Sequence, residues 1–315
     1  MKKIGLFFKF IFTSINYFYY KRKVKDVDYF DYKKLVYPNH KIPYGFASVM
    51  NYGNWKAVAK LKGSRFNFFR EYLEHGLSFF QTTESAEYLG YINRPGIRKI
   101  YTLSEYRKKV LLRYLQEKNL TDRQVLTVGP YIMGADFFYD EATRKQLKSK
   151  YGKIMLVFPA HSFMEVSTHY EAQTLVDFIE EQKPNFDNIF ICMYWKDILE
   201  KPEEIAFYES KGYVVVCNGH RHDPLFMSRQ KDLIELADLV VTNELSNCIG
   251  YAIPMGTPVY YFDQKVDFTI QHIDTIDDSK DKAREMCKQM FSKVSFEITP
   301  EQKQFVEYYW GPWKD

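Results

Sequence analysis

The sequence lacks the cysteine pattern of a disulfide framework or a structural zinc site. Only 4 of its 315 residues are cysteines, at positions 192, 217, 248 and 287, and no two of them form a C-x-x-C pair. Small disulfide-bonded domains and zinc ribbons are therefore excluded. Three of the four cysteines lie in apolar stretches, which predicts reduced thiols in a cytoplasmic protein.

A strong excess of charge of one sign is also absent. The 44 Lys and Arg residues exceed the 40 Asp and Glu residues by only 4. Because nucleic-acid-binding domains usually concentrate more positive charge than this on one face, no nucleic-acid partner is expected. The chain is instead rich in hydrophobic (46%) and aromatic (18%) residues, which suffice for a sizeable core. Its length fits two ordinary domains or one large domain.

Residues Ile4 to Tyr20 form an apolar and aromatic run that is broken by polar residues and is barely long enough to span a bilayer. No small-residue cleavage site follows it, so we do not expect a cleaved signal peptide. The basic residues of positions 21–25 and the aromatic anchors favour a helix that lies on an anionic inner leaflet. An ordinary domain helix and a transmembrane span remain alternatives. We therefore expect a cytoplasmic protein held peripherally at the inner face of the plasma membrane.

The second half of the chain shows the alternation of short apolar runs and helices that is typical of a parallel α/β sheet. The clearest example is the strand Leu239–Val241, the polar turn Thr242–Asn247, a helix that ends at Gly256, and the strand Val259–Phe262. A strand that leads through a polar turn to a helix N-terminus presents free backbone N–H groups to a phosphate. The sequence thus predicts a phosphate site at this turn, although a simple capped turn would have the same pattern.

Two side chains of this turn, Ser246 and Asn247, are candidate donor-binding groups because a hydroxyl and an amide suit a phosphate. Glu244 is assigned to a ribose or sugar hydroxyl, since a carboxylate beside a phosphate is unfavourable. Small residues at Gly250 and Ala252 are expected to let the following helix approach the sheet closely.

Other predicted strands of this half also end in polar loops. His161 and Ser162 follow the strand Lys153–Phe158, and His220 and Arg221 follow the strand Tyr213–Cys217. Because ligands of open α/β sheets bind beyond the carboxyl ends of the strands, these four side chains are further candidates for donor or phosphate binding. Ser162 has an alternative role as the cap of a helix containing residues 170–181.

A metal site is not expected. His220, His222 and Asp223 lie within four residues of one another, but no further group of ligands occurs nearby in the sequence. No cofactor is expected either.

The first half is less regular. Strands are predicted at residues 44–50, 97–103 and 124–128, and Ser104 is expected to cap a helix that runs to Glu117. The pair Glu74 and His75 precedes Gly76, which places an imidazole on a turn where the backbone can bend. Histidine is the natural base near neutral pH, so His75 is a candidate catalytic residue. A loop histidine without a catalytic role is the alternative.

Three further side chains of the first half are candidates for the acceptor side of a cleft. Asn54 and Trp55 belong to the predicted turn 51–55, where the indole can stack on a sugar. Tyr131 follows Gly129-Pro130, which stops the strand 124–128. Packing within a βα loop is the alternative role for Trp55.

The second half resembles the nucleotide-binding domain of GT-B glycosyltransferases, nearest to bacterial enzymes that build capsule, O-antigen or lipooligosaccharide. The resemblance rests on Asp238, the turn 242–247, Ala252, Gly256 and Pro258-Val259, and extends to residues 158–162, 192–197 and 218–220. It implies an α/β fold of two Rossmann-type domains that face a cleft, with a C-terminal helix that crosses back. The implied division is residues 1–25, an acceptor-side domain 26–150, a donor-binding domain 151–295 and the C-terminal helix 296–315.

The His75-Gly76 pair is similar to the catalytic His-Gly of teichoic-acid glycerophosphotransferases, which share this arrangement. It also occupies the place where GT-B sialyltransferases carry an acidic-acidic-Gly motif, in which case Glu74 is the acid/base. The two resemblances leave His75 and Glu74 as alternative catalytic residues.

The resemblance implies a metal-independent glycosyltransferase that moves a sugar from a nucleotide-activated donor to a growing cell-surface glycan. Its expected partners are the nucleotide-sugar donor, a glycan or lipid-linked glycan acceptor, and the inner leaflet of the membrane. The alternatives are a sialyl- or polyol-phosphate transferase on the same scaffold, an epimerase of a nucleotide sugar, and a non-catalytic subunit that binds a glycan or a partner enzyme.

Overall fold

The computed structural model describes residues 15, 19, 22–36, 51–77, 79, 92–163, 166–270 and 282–313. The predicted strand at residues 44–50 and nearly all of the apolar run 4–20 lie outside these ranges. Within them, no helix combines the length and the apolar character that crossing a membrane requires.

The first part of the chain forms a small parallel sheet with strand order β1-β2-β3. Its strands and helices, in chain order, are α1 (Tyr32–Leu35), α2 (Asn54–Leu61), β1 (Glu71–Leu73), β2 (Lys99–Thr102), α3 (Glu105–Glu117), β3 (Gln124–Thr127) and α4 (Glu141–Tyr151). The predicted strands at 97–103 and 124–128 are confirmed to within two residues at each end. The cap at Ser104 is also confirmed, because its side chain accepts a hydrogen bond from the Arg107 amide.

The second part forms a larger parallel sheet with strand order β7-β6-β4-β8-β9. The elements are β4 (Ile154–Phe158), β5 (Val166–Tyr170), α5 (Ala172–Gln182), β6 (Asn188–Cys192), α6 (Trp195–Glu200), α7 (Pro202–Ser210), β7 (Val214–Val216), α8 (Phe226–Leu236), β8 (Leu239–Thr242), α9 (Asn247–Ala252), β9 (Val259–Tyr261), β10 (Val266–Ile270), α10 (Lys282–Met290) and α11 (Pro300–Trp310). The order reverses direction between β4 and β8, which makes this pair the switch point of the sheet.

The strands of the larger sheet are apolar because both faces are covered. Along β4, Ile154 and Leu156 contribute to one core, whereas Met155 and Val157 contribute to the other. This alternation follows from the two-residue period of a strand. The expected α/β fold with two parallel sheets is therefore confirmed.

One predicted helix begins later than expected. Residues 166–170 form β5, which pairs antiparallel with β10, and the helix α5 starts only at Ala172. Ser162 accordingly caps no helix, and its hydroxyl oxygen accepts a hydrogen bond from the Thr168 amide at 3.0 Å. The pairing joins segments about one hundred residues apart, and no local pattern predicts it.

Residues 24–36 pack against the larger sheet. The side chains of Val24, Tyr32 and Leu35 belong to its core, and the Cys217 amide donates to the Tyr29 carbonyl at 2.9 Å. The guanidinium of Arg229 binds the carbonyl of Val24 at 2.7 Å. Residues 26–36 were expected in the acceptor-side domain with the smaller sheet. The division of the chain into domains stays a prediction.

The C-terminal helix α11 contacts both parts of the chain, as expected for a helix that crosses back. Thr299 and Gln302 form a capping box at its start. Toward its end, the ring of Tyr309 lies 4.9 Å from that of Tyr106 on α3, between centroids, and Trp310 packs on Gly250 of α9. Gly250 thus allows close approach of α11 and not of the sheet.

The contact between Gly250 and Trp310 gives a test of this packing. A Cβ atom at Gly250 would lie 2.2 Å from the indole. We expect Gly250→Ala to lower the free energy of unfolding by about 1–3 kcal/mol, as overpacking does. Denaturant unfolding measures the change. Without a steric clash, Gly→Ala in a helix would raise the free energy of unfolding by roughly 1 kcal/mol. A stabilised variant would therefore contradict the close contact between Gly250 and Trp310.

Candidate functional site

The carboxyl ends of β4 and β8 bring two predicted loops together. Phe158 is the register partner of Thr242, so the loops that follow these residues start side by side. The Ala160 amide donates to the Asn243 side-chain oxygen at 2.6 Å, and the His161 amide donates to the Glu244 carboxylate at 3.3 Å. The candidates His161 and Glu244 are therefore neighbours at the switch point of the sheet.

His75 reaches this region from the smaller sheet. It lies two residues after the end of β1, and its ring centroid is 5.0 Å from that of Tyr52. The residue as a whole is half-buried, but the Nδ1 atom of the imidazole is buried. Burial lowers the pKa of His75 to about 4, and electrostatic interactions with Arg221 and His161 act in the same direction. At neutral pH the imidazole is therefore neutral and can accept a proton.

Tyr52 connects the two parts of the site. Its amide donates to the Arg221 carbonyl at 2.5 Å, and its hydroxyl lies 2.9 Å from that of Tyr194. The ring of Tyr194 in turn stacks on His161 with a centroid distance of 4.3 Å. His75, Tyr52, Tyr194 and His161 thus form a continuous row of rings, which we call the aromatic row.

The turn that carries Tyr52 has an unusual backbone. Tyr52 has a φ of 58° and Gly53 a φ of 70°. A Cβ atom at Gly53 would lie 2.5 Å from the Pro224 carbonyl oxygen, so this position requires glycine. Neither Tyr52 nor Tyr194 was among the predicted site residues. For Tyr52, its position in the predicted Asn-Tyr-Gly turn was the one local feature that could have indicated a special role.

Asn247 has a different environment from the one its predicted role implies. Its side-chain oxygen accepts hydrogen bonds from the Leu77 amide at 3.0 Å and from the Trp310 indole at 3.1 Å. A Cβ atom at Gly76 would lie 2.1 Å from its nitrogen. Asn247 therefore joins the loop that carries His75 to α9 and α11. Phosphate binding by this side chain stays a prediction.

Ser246 stands at the N-cap position of α9, as predicted, but its side chain makes no capping hydrogen bond. Its oxygen lies 3.0 Å from the Cys248 sulfur. The amide of Glu244 instead donates to the Thr242 hydroxyl at 3.2 Å, which shapes the turn.

The two alternative catalytic residues differ in their surroundings. Glu74 is buried, and its carboxylate binds the Thr102 hydroxyl at 2.5 Å and the Arg107 Nε at 2.9 Å. Both carboxylate oxygens are thus bonded within the smaller sheet and α3. The geometry favours His75 over Glu74 as the proton acceptor.

Two acceptor-side candidates support the backbone beside His75. The amide nitrogen of Asn54 donates to the His75 carbonyl at 3.1 Å, and the Tyr131 hydroxyl donates to the Glu74 carbonyl at 2.9 Å. Both side chains are buried, with exposures of 1% and 0%, so Tyr131 does not form an open wall of a cleft. Trp55 is half-buried and its ring packs 5.3 Å from that of Phe68.

The loop after β7 contains both structural and site residues. His220 is fully buried with its ring centroid 4.1 Å from that of Trp195. Asp223 pairs with Arg229 at 2.6 Å, both fully buried. Arg221 is half-buried beside His75 and remains the candidate phosphate-binding cation of this loop.

Ser162, predicted to bind the donor, is fully buried, and its amide donates to the Asp197 carboxylate at 2.9 Å. The part of the chain that the structure describes contains no cluster of three histidine, cysteine or acidic side chains arranged to hold a metal ion.

No family model and no curated protein matches the chain. Among solved structures, it is similar to UDP-GlcNAc 2-epimerase from Neisseria meningitidis bound to UDP-GlcNAc, with 13% identity, a TM-score of 0.38, and coverage of 75% of this chain and 66% of that one. It is also similar to Anabaena HepE in complex with UDP and glucose, with 14% identity, a TM-score of 0.35, and coverage of 65% and 55%. At these values the fold assignment rests on the sheet topology given above.

The lowered pKa of His75 predicts a pH dependence of stability. The folded protein holds the imidazole neutral down to about pH 4, whereas in the unfolded chain its pKa is near 6.5. The unfolded state therefore binds the proton first, and the contribution of His75 to stability, complete above pH 6.5, is lost as the pH falls toward 4. We expect His75→Gln to remove this loss, as measured by denaturant unfolding at several pH values.

His169 supplies the matched control for this measurement, because it is an exposed histidine on β5. His169→Gln should follow the stability profile of the unmodified protein between pH 4 and pH 6.5. A His75→Gln profile that parallels both others would contradict the buried, neutral imidazole.

Proposed function

We propose that this protein is a metal-independent glycosyltransferase that moves a sugar from a nucleotide-activated donor to a growing cell-surface glycan. The observation that carries the proposal is the contact of His75 with Tyr52, whose amide donates to the Arg221 carbonyl. The Tyr52 hydroxyl also lies beside that of Tyr194, which stacks on His161. The imidazole comes from the smaller sheet, and the two groups that lower its pKa come from loops at the carboxyl edge of the larger sheet. A proton acceptor and a candidate phosphate site thus face each other.

The positive potential at His75 supports a bound anion near Arg221. In the protein without ligand, Arg221 and His161 disfavour a proton on His75. The phosphates of a bound donor would compensate these charges, so the pKa of His75 would rise toward its ordinary value. A stronger base is thereby obtained only when the donor is in place.

The reaction that fits this arrangement is the displacement of a nucleotide by a hydroxyl group. His75 accepts the proton of the acceptor hydroxyl, and the oxygen of that hydroxyl forms a bond to the anomeric carbon of the donor. The bond between that carbon and the phosphate oxygen breaks. Arg221 and His161 stabilise the negative charge on the leaving phosphate. Glu244 is assigned to a hydroxyl of the ribose or the sugar.

The acceptor and the place of action rest on the sequence alone. A glycan or lipid-linked glycan acceptor follows from the resemblance to enzymes of surface polysaccharides. The basic and aromatic residues 1–25 support contact with the inner leaflet of the membrane.

Nucleotide binding tests the donor site. We expect one of CMP, CDP, UDP and GDP, or a sugar conjugate of one of them, to raise the thermal midpoint by several degrees at saturating concentration, because it binds only the folded state. EDTA should not change this shift. Arg221→Gln should abolish it, whereas His169→Gln should leave it intact. If no nucleotide produces a shift, the non-catalytic alternative replaces the proposal.

Turnover tests the role of His75. With the nucleotide sugar that binds, we expect His75→Gln to lower kcat by about 10²- to 10⁴-fold, the usual contribution of a general base. The thermal shift by the nucleotide should persist in this variant. A variant that keeps its full rate would eliminate His75 as the base, and consumption of donor without any acceptor would indicate an epimerase.

A further inference from the structure

A polar cavity of about 460 Å³ lies beside the candidate site. Glu244, whose carboxylate accepts from the His161 amide, forms part of its wall and so borders both regions. The other walls come from the connection between β9 and β10 and from α10. The cavity is thus next to the turn predicted to hold phosphate, and residues 243–245 of that turn contribute to its lining.

Two side-chain amides at this cavity have unused hydrogen-bonding capacity. The Asn243 side chain is 1% exposed, and its oxygen accepts from the Ala160 amide, but its nitrogen has no partner among the described residues. Both amide atoms of Gln264 are likewise buried without a partner in the described ranges. A buried, unsatisfied polar atom costs about 1–3 kcal/mol. A ligand with several hydroxyl groups would satisfy all three atoms.

The wall formed by α10 carries positive charge. Arg284 and Lys288 are four residues apart, on one face of the helix, and both line the cavity. Lys288 also lies 3.2 Å from Glu285, in an ion pair at the surface of the helix that contributes little. A guanidinium binds carboxylate or phosphate with two parallel hydrogen bonds, so this wall suits an anionic substituent.

The acidic side chains at the cavity already have partners. Glu244 binds the His161 amide, and Asp263 lies 3.4 Å from the Tyr261 hydroxyl. A third lining cation, Lys265, pairs with Asp267 at 2.9 Å. Three of the lining side chains are cationic and two are anionic, and two of the cations, Lys265 and Lys288, are also paired with acidic neighbours outside the lining.

We propose that this cavity binds the sugar of the donor and that this sugar carries an anionic group, either a carboxylate or a phosphate. The inference rests on the proposed function. Gln264 and Asn243 hydrogen-bond the hydroxyl groups, and Arg284 and Lys288 hold the anionic group. The phosphates of the donor then lie across Glu244, within reach of Arg221 and His161.

Free sugars test the cavity without a nucleotide. Glucose, glucuronate and glucose 6-phosphate are titrated into the full chain, and binding is followed by ligand-detected NMR. We expect one of the two anionic sugars to saturate below about 10 mM and at least fivefold more tightly than glucose. Whether glucuronate or glucose 6-phosphate binds distinguishes a carboxylate from a phosphate.

Variants then locate the binding. Arg284→Gln should weaken the anionic sugar at least fivefold, and Gln264→Ala should weaken all sugars that bind. Lys282→Gln is the matched control, because Lys282 is an exposed cation at the start of the same helix and does not line the cavity. It should leave the affinities unchanged.

Three results would overturn the inference: equal binding of glucose and both anionic sugars, undiminished binding by Arg284→Gln, or no saturation by any sugar. The nucleotide shift of Arg284→Gln separates these failures from failure of the proposed function. If the nucleotide still raises the thermal midpoint of this variant, the proposed transferase function stands and only the proposal of an anionic sugar fails. A protein that shows no nucleotide shift at all fails the proposed function itself.

Discussion

The position of His75 relative to the larger sheet depends on one oxygen atom, the side-chain Oδ1 of Asn247. It accepts a hydrogen bond from the Leu77 amide, two residues after His75, and another from the Trp310 indole at the end of the chain. Gly76 has no Cβ, so the backbone can approach this amide closely. The loop of the smaller sheet, α9 and α11 are thereby held at one point. We expect a change at Asn247 to shift His75 relative to the turn 242–247, because both hydrogen bonds would be lost.

The second constraint on this region is the charge of the His75 imidazole. Burying an imidazole costs little while it is neutral and much when it is protonated, and the cation at Arg221 increases that difference. The Tyr52 amide holds the backbone of Arg221 beside this imidazole, because it donates to the Arg221 carbonyl while the Tyr52 ring contacts His75. The proposed base and the proposed phosphate-binding cation are therefore connected by one residue.

The sequence predicted the elements whose signals are local. The buried strand at Leu239 and the cap at Ser104 depend on neighbours within four residues, and both were placed correctly. The meeting of His161 with Glu244 also followed, because parallel strands end at a common edge. Partners distant in the chain could not be predicted in this way. The hydrophobic periodicity of the sequence does not indicate the contact between the hydroxyl groups of residues 52 and 194, which are 142 positions apart in the chain.

The surroundings of several predicted site residues differ from those expected, because their polar side chains are buried. Asn54, Tyr131 and Ser162 were expected to face ligands, yet each is buried and hydrogen-bonded to a backbone group. A buried polar group must find a partner within the fold, and sequence alone does not show which groups are buried. Asn243 and Gln264 line the cavity and have amide atoms without a partner among the described residues, which is the basis for proposing a ligand there. Residue type alone therefore does not separate a supporting side chain from a binding one, because the same amide group can serve either role.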